Sequence, residues 1–258
     1  MITNAEIKLL GATLSDGEST RTHCPVCNSS EKSLSLTRDG DEVLYYCFRA
    51  SCGARGGTAS KQMAGGRGKV VARKFTPYTA PLQALDDEWS DYLGHLLGFT
   101  DWHINKARVR QTDDGRVAYP ILGPSGIRRG NVIRAYDGRE PKALTRMDMA
   151  APHTSYYPCA GATTWVLVED IPSAVRVSKF ANALALCGTG LTAEALHELA
   201  AVTRDVVWAL DADATGTAIA NHMRHKVYFD TSSVLTLDAD FKNMTDEEIK
   251  QCLTNRTY

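Results

Sequence analysis

The chain has 258 residues, of which 43% are hydrophobic and 23% charged, with a net charge of −1. These are ordinary values for a globular protein of one large or two smaller domains. No apolar run approaches the length of a membrane span, and the N-terminus lacks the basic-then-apolar layout of a signal peptide. A cytoplasmic setting, with the seven cysteines reduced rather than paired, is the expectation.

The distribution of charge says more than its total. Residues 53–83 carry six Lys/Arg and no acid, and residues 106–146 carry ten basic and four acidic residues. Residues 205–250 reverse the balance, with nine acids and four bases. Such asymmetry suits a protein that grips a polyanion with one region and binds cations with another.

In chain order, the first pattern is cysteine spacing. Cys24 and Cys27 form C-x2-C, and Cys47 and Cys52 form C-x4-C. Between the pairs, SLSLTRDGDEVLYYCF reads as a hairpin turning at Asp39 and Gly40. Four thiolates on two tight turns are what tetrahedral Zn²⁺ requires. Residues 1–57 are therefore expected to form a zinc-ribbon β module. Residues 58–83, rich in Gly, Ala, Pro and basic side chains, read as a flexible basic linker.

Residues 84–158 open with helical spacing, in which Trp89, Tyr92, Leu93, Leu96 and Leu97 share a face. Short strands broken by Gly and Pro follow, which predicts a small curved antiparallel sheet in a basic α+β subdomain. From 159 to 258, strands at 164–168, 183–186, 205–210 and 233–237 alternate with helices at 172–180, 192–201, 215–226 and 245–253. This is the pattern of a parallel sheet covered by helices.

Two of these strands end in acids. TTWVLVED finishes at Glu169 and Asp170, and VVWALDADATG carries Asp211 and Asp213. Strands placed side by side would gather these carboxylates at the C-terminal edge of the sheet, where open α/β sheets put their sites. Crowded carboxylates repel unless they hold a hard divalent cation such as Mg²⁺.

The segments CPVC…YYCFRASCGARGG, DYLGHLLGF…GRVAYPILGPSGIRRGNVIRA…PKAL and VLVEDIPSA…CGTGLTAEAL…LDADATGTAIA stand in a telling order. In that order they resemble a bacterial-type DNA primase, with zinc-binding domain, basic N-terminal part of the RNA polymerase core, and Toprim domain. The resemblance covers most of the chain and points to the compact, stand-alone phage-like form, without a fused helicase or helicase-binding domain. It implies a nucleotidyltransferase that makes short RNA primers on single-stranded DNA from NTPs, using Zn²⁺ and Mg²⁺ (or Mn²⁺). A replicative helicase and a DNA polymerase would be its partners, in the host cytoplasm if the source is viral.

The same resemblance makes Glu169, Asp211 and Asp213 catalytic, with Asp240 joining them as a Mg²⁺ ligand. Gly188 and Thr189 match the family's Gly-Thr turn. Arg128, Arg129, Arg134 and Lys142 stand where template and nucleotide are contacted. The pattern departs at Ser173 and Thr217, where the family often has Asp and Arg, and Asp238 and Asn243 compete with Asp240 for the last acidic position. Two other readings use the same residues: a Toprim nuclease, and a non-catalytic zinc/Toprim recombination mediator. The roughly hundred residues between cysteines and carboxylates favour the primase, because mediators bring those regions close together.

Overall fold

The computed structural model describes residues 3–40, 42–49, 51–58 and 77–254. The chain divides into two compact units, residues 1–72 and 73–258. Most of the expected linker, residues 59–76, lies outside the described residues. Its last two residues, Leu82 and Gln83, form a strand that joins the second unit.

The first unit holds α1 (Asn4–Leu10), β1 (Ser19–Thr22), β2 (Leu34–Asp39), β3 (Glu42–Cys47) and β4 (Arg55–Gly57). Thr3 caps α1 through a reciprocal bond pair with Glu6, which satisfies donors at the start of a short helix. The four strands form one antiparallel sheet in sequence order. Gly40, at φ +59°, lies at the β2–β3 turn, as the Asp-Gly signal predicts. The core is small: Ile7, Leu34, Leu36, Val43 and the two cysteines Cys24 and Cys47.

The second unit begins with β5 (Leu82–Gln83), α2 (Asp87–Leu97) and α3 (Asp101–Ala107). The continuous helical pattern in the sequence is broken here. Gly98 closes α2 in the left-handed region, and Thr100 opens α3 by pairing with His103. Then come β6 (Arg110–Thr112), β7 (Val117–Leu122), β8 (Arg128–Arg134) and β9 (Ala143–Met147), which join β5 in a five-stranded antiparallel sheet.

The remainder is β10 (Ser155–Tyr157), β11 (Trp165–Val168), α4 (Ile171–Val177), β12 (Asn182–Ala185), α5 (Ala193–Val202), β13 (Asp205–Trp208), α6 (Thr215–His225), β14 (Thr231–Val234) and α7 (Asp246–Thr254). The second sheet has the order β10-β12-β11-β13-β14, parallel except for the edge strand β10. β11 and β12 are buried along their whole length, and so is all of β13 except Asp205. Their unbroken apolar runs reflect cover on both faces. The sequence reading omitted β10, a three-residue edge strand too short to announce itself.

One core joins both sheets: Leu93, Val117, Tyr119 and Ile121 from the antiparallel part pack with Val166, Val168, Ala174 and Val177. The two subdomains thus share one core. The chain leaves β11 toward β12 on one side, then returns to place β13 on the other. That reversal opens a crevice beyond the C-terminal ends of β11 and β13.

Candidate functional site

The crevice receives the residues that follow each strand. Glu169 and Asp170 come directly after β11, Asp211 and Asp213 follow β13, and Asp240 follows β14. Asp170 caps α4, accepting from the Ser173 N–H at 2.9 Å through Oδ1. Its Oδ2 accepts from Arg134 Nη1 at 3.2 Å and lies 3.1 Å from Lys242 Nζ. Lys242 also reaches Asp211 Oδ2 at 3.1 Å and Asp240 Oδ2 at 2.7 Å. Asp213 is exposed, and Glu169 Oε1 is buried without a hydrogen-bond partner.

The electrostatics follow from that arrangement. Burial, reinforced by Asp211, Asp213 and Asp170, pushes the Glu169 carboxyl up to about 8, with Lys242 opposing. Asp211 rises to about 6 through burial and the charges of Asp170 and Asp240, again against Lys242. Burial also works against charge on Asp170, yet Lys242, Arg134 and the Ser173 N–H hold it below the usual carboxylate range. The Lys242 ammonium is likewise held above its ordinary value despite burial, by Asp170, Asp211 and Asp240.

A cavity of about 230 Å³ opens onto these groups, lined by Tyr119, Arg134, Thr145, Glu169, Asp170, Gly188 and Asp211. The Gly188 N–H donates to the Glu169 carbonyl at 3.2 Å, and Asn221 holds the Thr189 carbonyl at 2.6 Å. The expected Gly-Thr turn is thereby fixed against the first acidic strand end. On the other wall, the Tyr119 and Tyr136 hydroxyls pair at 2.7 Å, and the Arg134 guanidinium lies over the Tyr136 ring.

The four expected basic residues separate. Arg134 faces the carboxylates. Arg129 is committed to a two-pronged pair with Glu198 at 2.7 and 2.8 Å, joining β8 to α5. Arg128, half-exposed, pairs with Asp148 at 3.0 Å, and Lys142 is exposed before β9. Of the residues competing for the last acidic position, Asp240 meets Lys242, while Asp238 and Asn243 are exposed. Ser173 is buried and serves α4 through its backbone. The sequence reading missed Lys242, since a lysine in a loop beside two acids looks like ordinary solvated surface.

In the first unit the Sγ atoms of Cys24, Cys27, Cys47 and Cys52 lie within 4.8 Å of one another. Cys24 and Cys52 approach to 3.6 Å and Cys27 and Cys47 to 3.9 Å. The first knuckle closes through the Asn28 N–H to the Cys24 carbonyl, with Asn28 at φ +50°. Four sulfurs grouped in this way could hold one metal ion.

Residues 170–246 match the Toprim-like family model. The chain carries a Toprim-like domain. That match begins one residue after Glu169 and takes in Asp211, Asp213, Asp240 and Lys242. The crystal structure of the Aquifex aeolicus primase, comprising zinc-binding and RNA polymerase domains, shares the fold. It aligns with 98% of this chain and 85% of its own length at TM-score 0.54 and 15% identity. The RNA polymerase domain of the Mycobacterium tuberculosis primase aligns with 71% of this chain and 69% of its own at TM-score 0.45 and 18% identity. No curated protein matches the chain by sequence. Among the described residues, no helix is long and apolar enough to cross a membrane.

Proposed function

We propose that the chain is a DNA-dependent RNA primase, a nucleotidyltransferase joining ribonucleotides into short primers on single-stranded DNA. The observation that carries this reading is that Glu169 and Asp211 line one cavity at the crevice of the Toprim-like domain, together with Arg134 and with Asp213 near enough to raise the Glu169 carboxyl. The donor set suits a hard cation. Glu169 Oε1 is buried and unpaired, and Lys242 engages only Oδ2 of Asp211, leaving the other oxygen available.

Glu169, Asp211 and Asp213 would hold Mg²⁺ or Mn²⁺, whose chemistry there is to acidify a primer 3′-hydroxyl and to neutralise the leaving pyrophosphate. Arg134 is oriented by Asp170 and lines the cavity, so its guanidinium would meet triphosphate oxygens there. Tyr119 and Tyr136 stiffen that wall. Arg128 and Lys142, both exposed, would meet template phosphate rather than the reacting atoms.

The thiolate site would hold Zn²⁺. Tetrahedral bonds of about 2.3 Å require sulfur–sulfur edges of roughly 3.8 Å, and the observed 3.6 and 3.9 Å bracket that value. Zinc would keep the first unit folded for template selection.

The test is incubation of the chain with single-stranded DNA, labelled NTPs and Mg²⁺. New oligoribonucleotides are expected. A shortened template would indicate a nuclease, and binding alone a mediator. A double variant, Asp211→Asn with Asp213→Asn, should lose primer synthesis by about 100-fold or more while remaining folded, since metal stabilisation is worth several kcal/mol. Near-normal synthesis by that variant overturns the reading.

A further inference from the structure

We infer that Lys242 is a tethered cation of the carboxylate site, standing where a second divalent ion would otherwise bind, so that the site takes one such ion rather than two. This rests on the reading of Glu169, Asp211 and Asp213 as metal ligands. An ammonium has three N–H donors, and three carboxylates meet this one. Asp240 Oδ2 lies at 2.7 Å, and Asp170 Oδ2 and Asp211 Oδ2 lie at 3.1 Å. Asp170 and Asp211 follow the neighbouring strands β11 and β13, and Asp240 opens the turn that carries Lys242, so the lysine stands between acids from three separate segments. Its side chain is only 13% exposed.

The backbone holds it there. Phe241, the preceding residue, is buried in the shared core. The turn is closed by the Asn243 N–H to the Asp240 carbonyl at 2.8 Å and the Met244 N–H to the Phe241 carbonyl at 3.2 Å. Lys242 therefore extends from a fixed point rather than from a loose loop.

The remaining valences agree. Asp170 is committed through both oxygens, to the Ser173 N–H on one and to Lys242 and Arg134 on the other. A divalent ion bridging Asp170, Asp211 and Asp240 needs bonds near 2.0–2.1 Å in a near-octahedral shell, and the ammonium stands in that space. Lys242 pairs with Asp170, Asp211 and Asp240 and not with Glu169 or Asp213, which leaves Glu169, Asp213 and the other oxygen of Asp211 for a single ion.

The experiment counts bound Mn²⁺ by electron paramagnetic resonance of the free ion, on the full chain with Zn²⁺ supplied to saturate the thiolates. The wild-type chain should bind about one Mn²⁺, Lys242→Met and Lys242→Gln about two, and Lys242→Arg about one. Circular dichroism verifies that each variant counted is folded. Two ions on the wild-type chain overturn the inference whatever the variants do. One ion on both the wild-type chain and folded Lys242→Met also overturns it, reducing the lysine to a structural brace. Either result leaves the metal-ligand reading intact, whereas no Mn²⁺ on the wild-type chain removes both.

Discussion

Glu169 and Asp170 are neighbours in the chain and opposites in state. Burial and like charges raise the first, while Lys242, Arg134 and a helix N-terminus hold the second ionised. The same logic governs His103, which is 1% exposed and accepts at Nδ1 from the Thr100 N–H at 3.0 Å. Burial, aided by the Arg176 charge, pushes its imidazole down to about 4, against the attraction of Asp246. In the unfolded chain it titrates near 6.5. As pH falls below that value the unfolded state takes up a proton that the folded state refuses. The stability from a neutral His103 is therefore complete above about pH 6.5 and is lost progressively toward pH 4. His103→Gln should flatten that part of the stability–pH curve relative to the wild type, measured by urea denaturation at a series of pH values. A wild-type-to-variant difference that stays constant from pH 7 to 4.5 contradicts it.

At the level of elements, β8 is the strand on which the wall of the cavity depends, since it carries both Arg129 and Arg134. Gly130 lies inside it because the neighbouring backbone comes too close for a side chain. A Cβ there would sit 2.2 Å from the Arg146 carbonyl oxygen and 2.8 Å from the Met147 Cα. Both atoms belong to the main chain of β9, so no rotamer change relieves the clash. Gly130→Ala is expected to cost about 1–3 kcal/mol and to loosen the β8–β9 pairing that fixes Arg134. Denaturant titration gives the stability loss, and slowed or weakened nucleotide binding accompanies it. A variant as stable as wild type shows that β9 can shift away. Elsewhere, glycine does a different job: Gly98, at φ +62°, ends α2 and turns the chain into α3.

The whole molecule consists of two units with unequal means of support. The second has a large core shared by two sheets, whereas the first buries a handful of apolar residues, two of them candidate metal ligands. A segment of that size needs a staple, and the proposed zinc supplies it. All four tryptophans, Trp89, Trp102, Trp165 and Trp208, belong to the second unit. Chelation with EDTA should therefore reduce the far-ultraviolet strand signal of the first unit while tryptophan fluorescence is unchanged. Cys24→Ser should reproduce the effect without chelator. Loss of tryptophan signal together with the strand signal means that the units do not fold independently.

The sequence by itself determined the local patterns. The apolar runs of β11 and β13, the acids that end them, the Asp-Gly hairpin and the four spaced cysteines are all written within short windows, because strand period, turn chemistry and ligand spacing are short-range properties. The alternation of strands and helices likewise announced the parallel sheet. Only the tertiary structure decided which charges meet. Arg129 and Arg134 look alike in the sequence, yet one is consumed by Glu198, 69 residues away, and the other faces Asp170. Lys242 acquires its place from Asp211, 31 residues earlier, and from Asp170, beyond that on another strand. Partner choice among charged side chains depends on strand order and on the packing of the two sheets. These settle which strand ends become neighbours, and no window of sequence contains them.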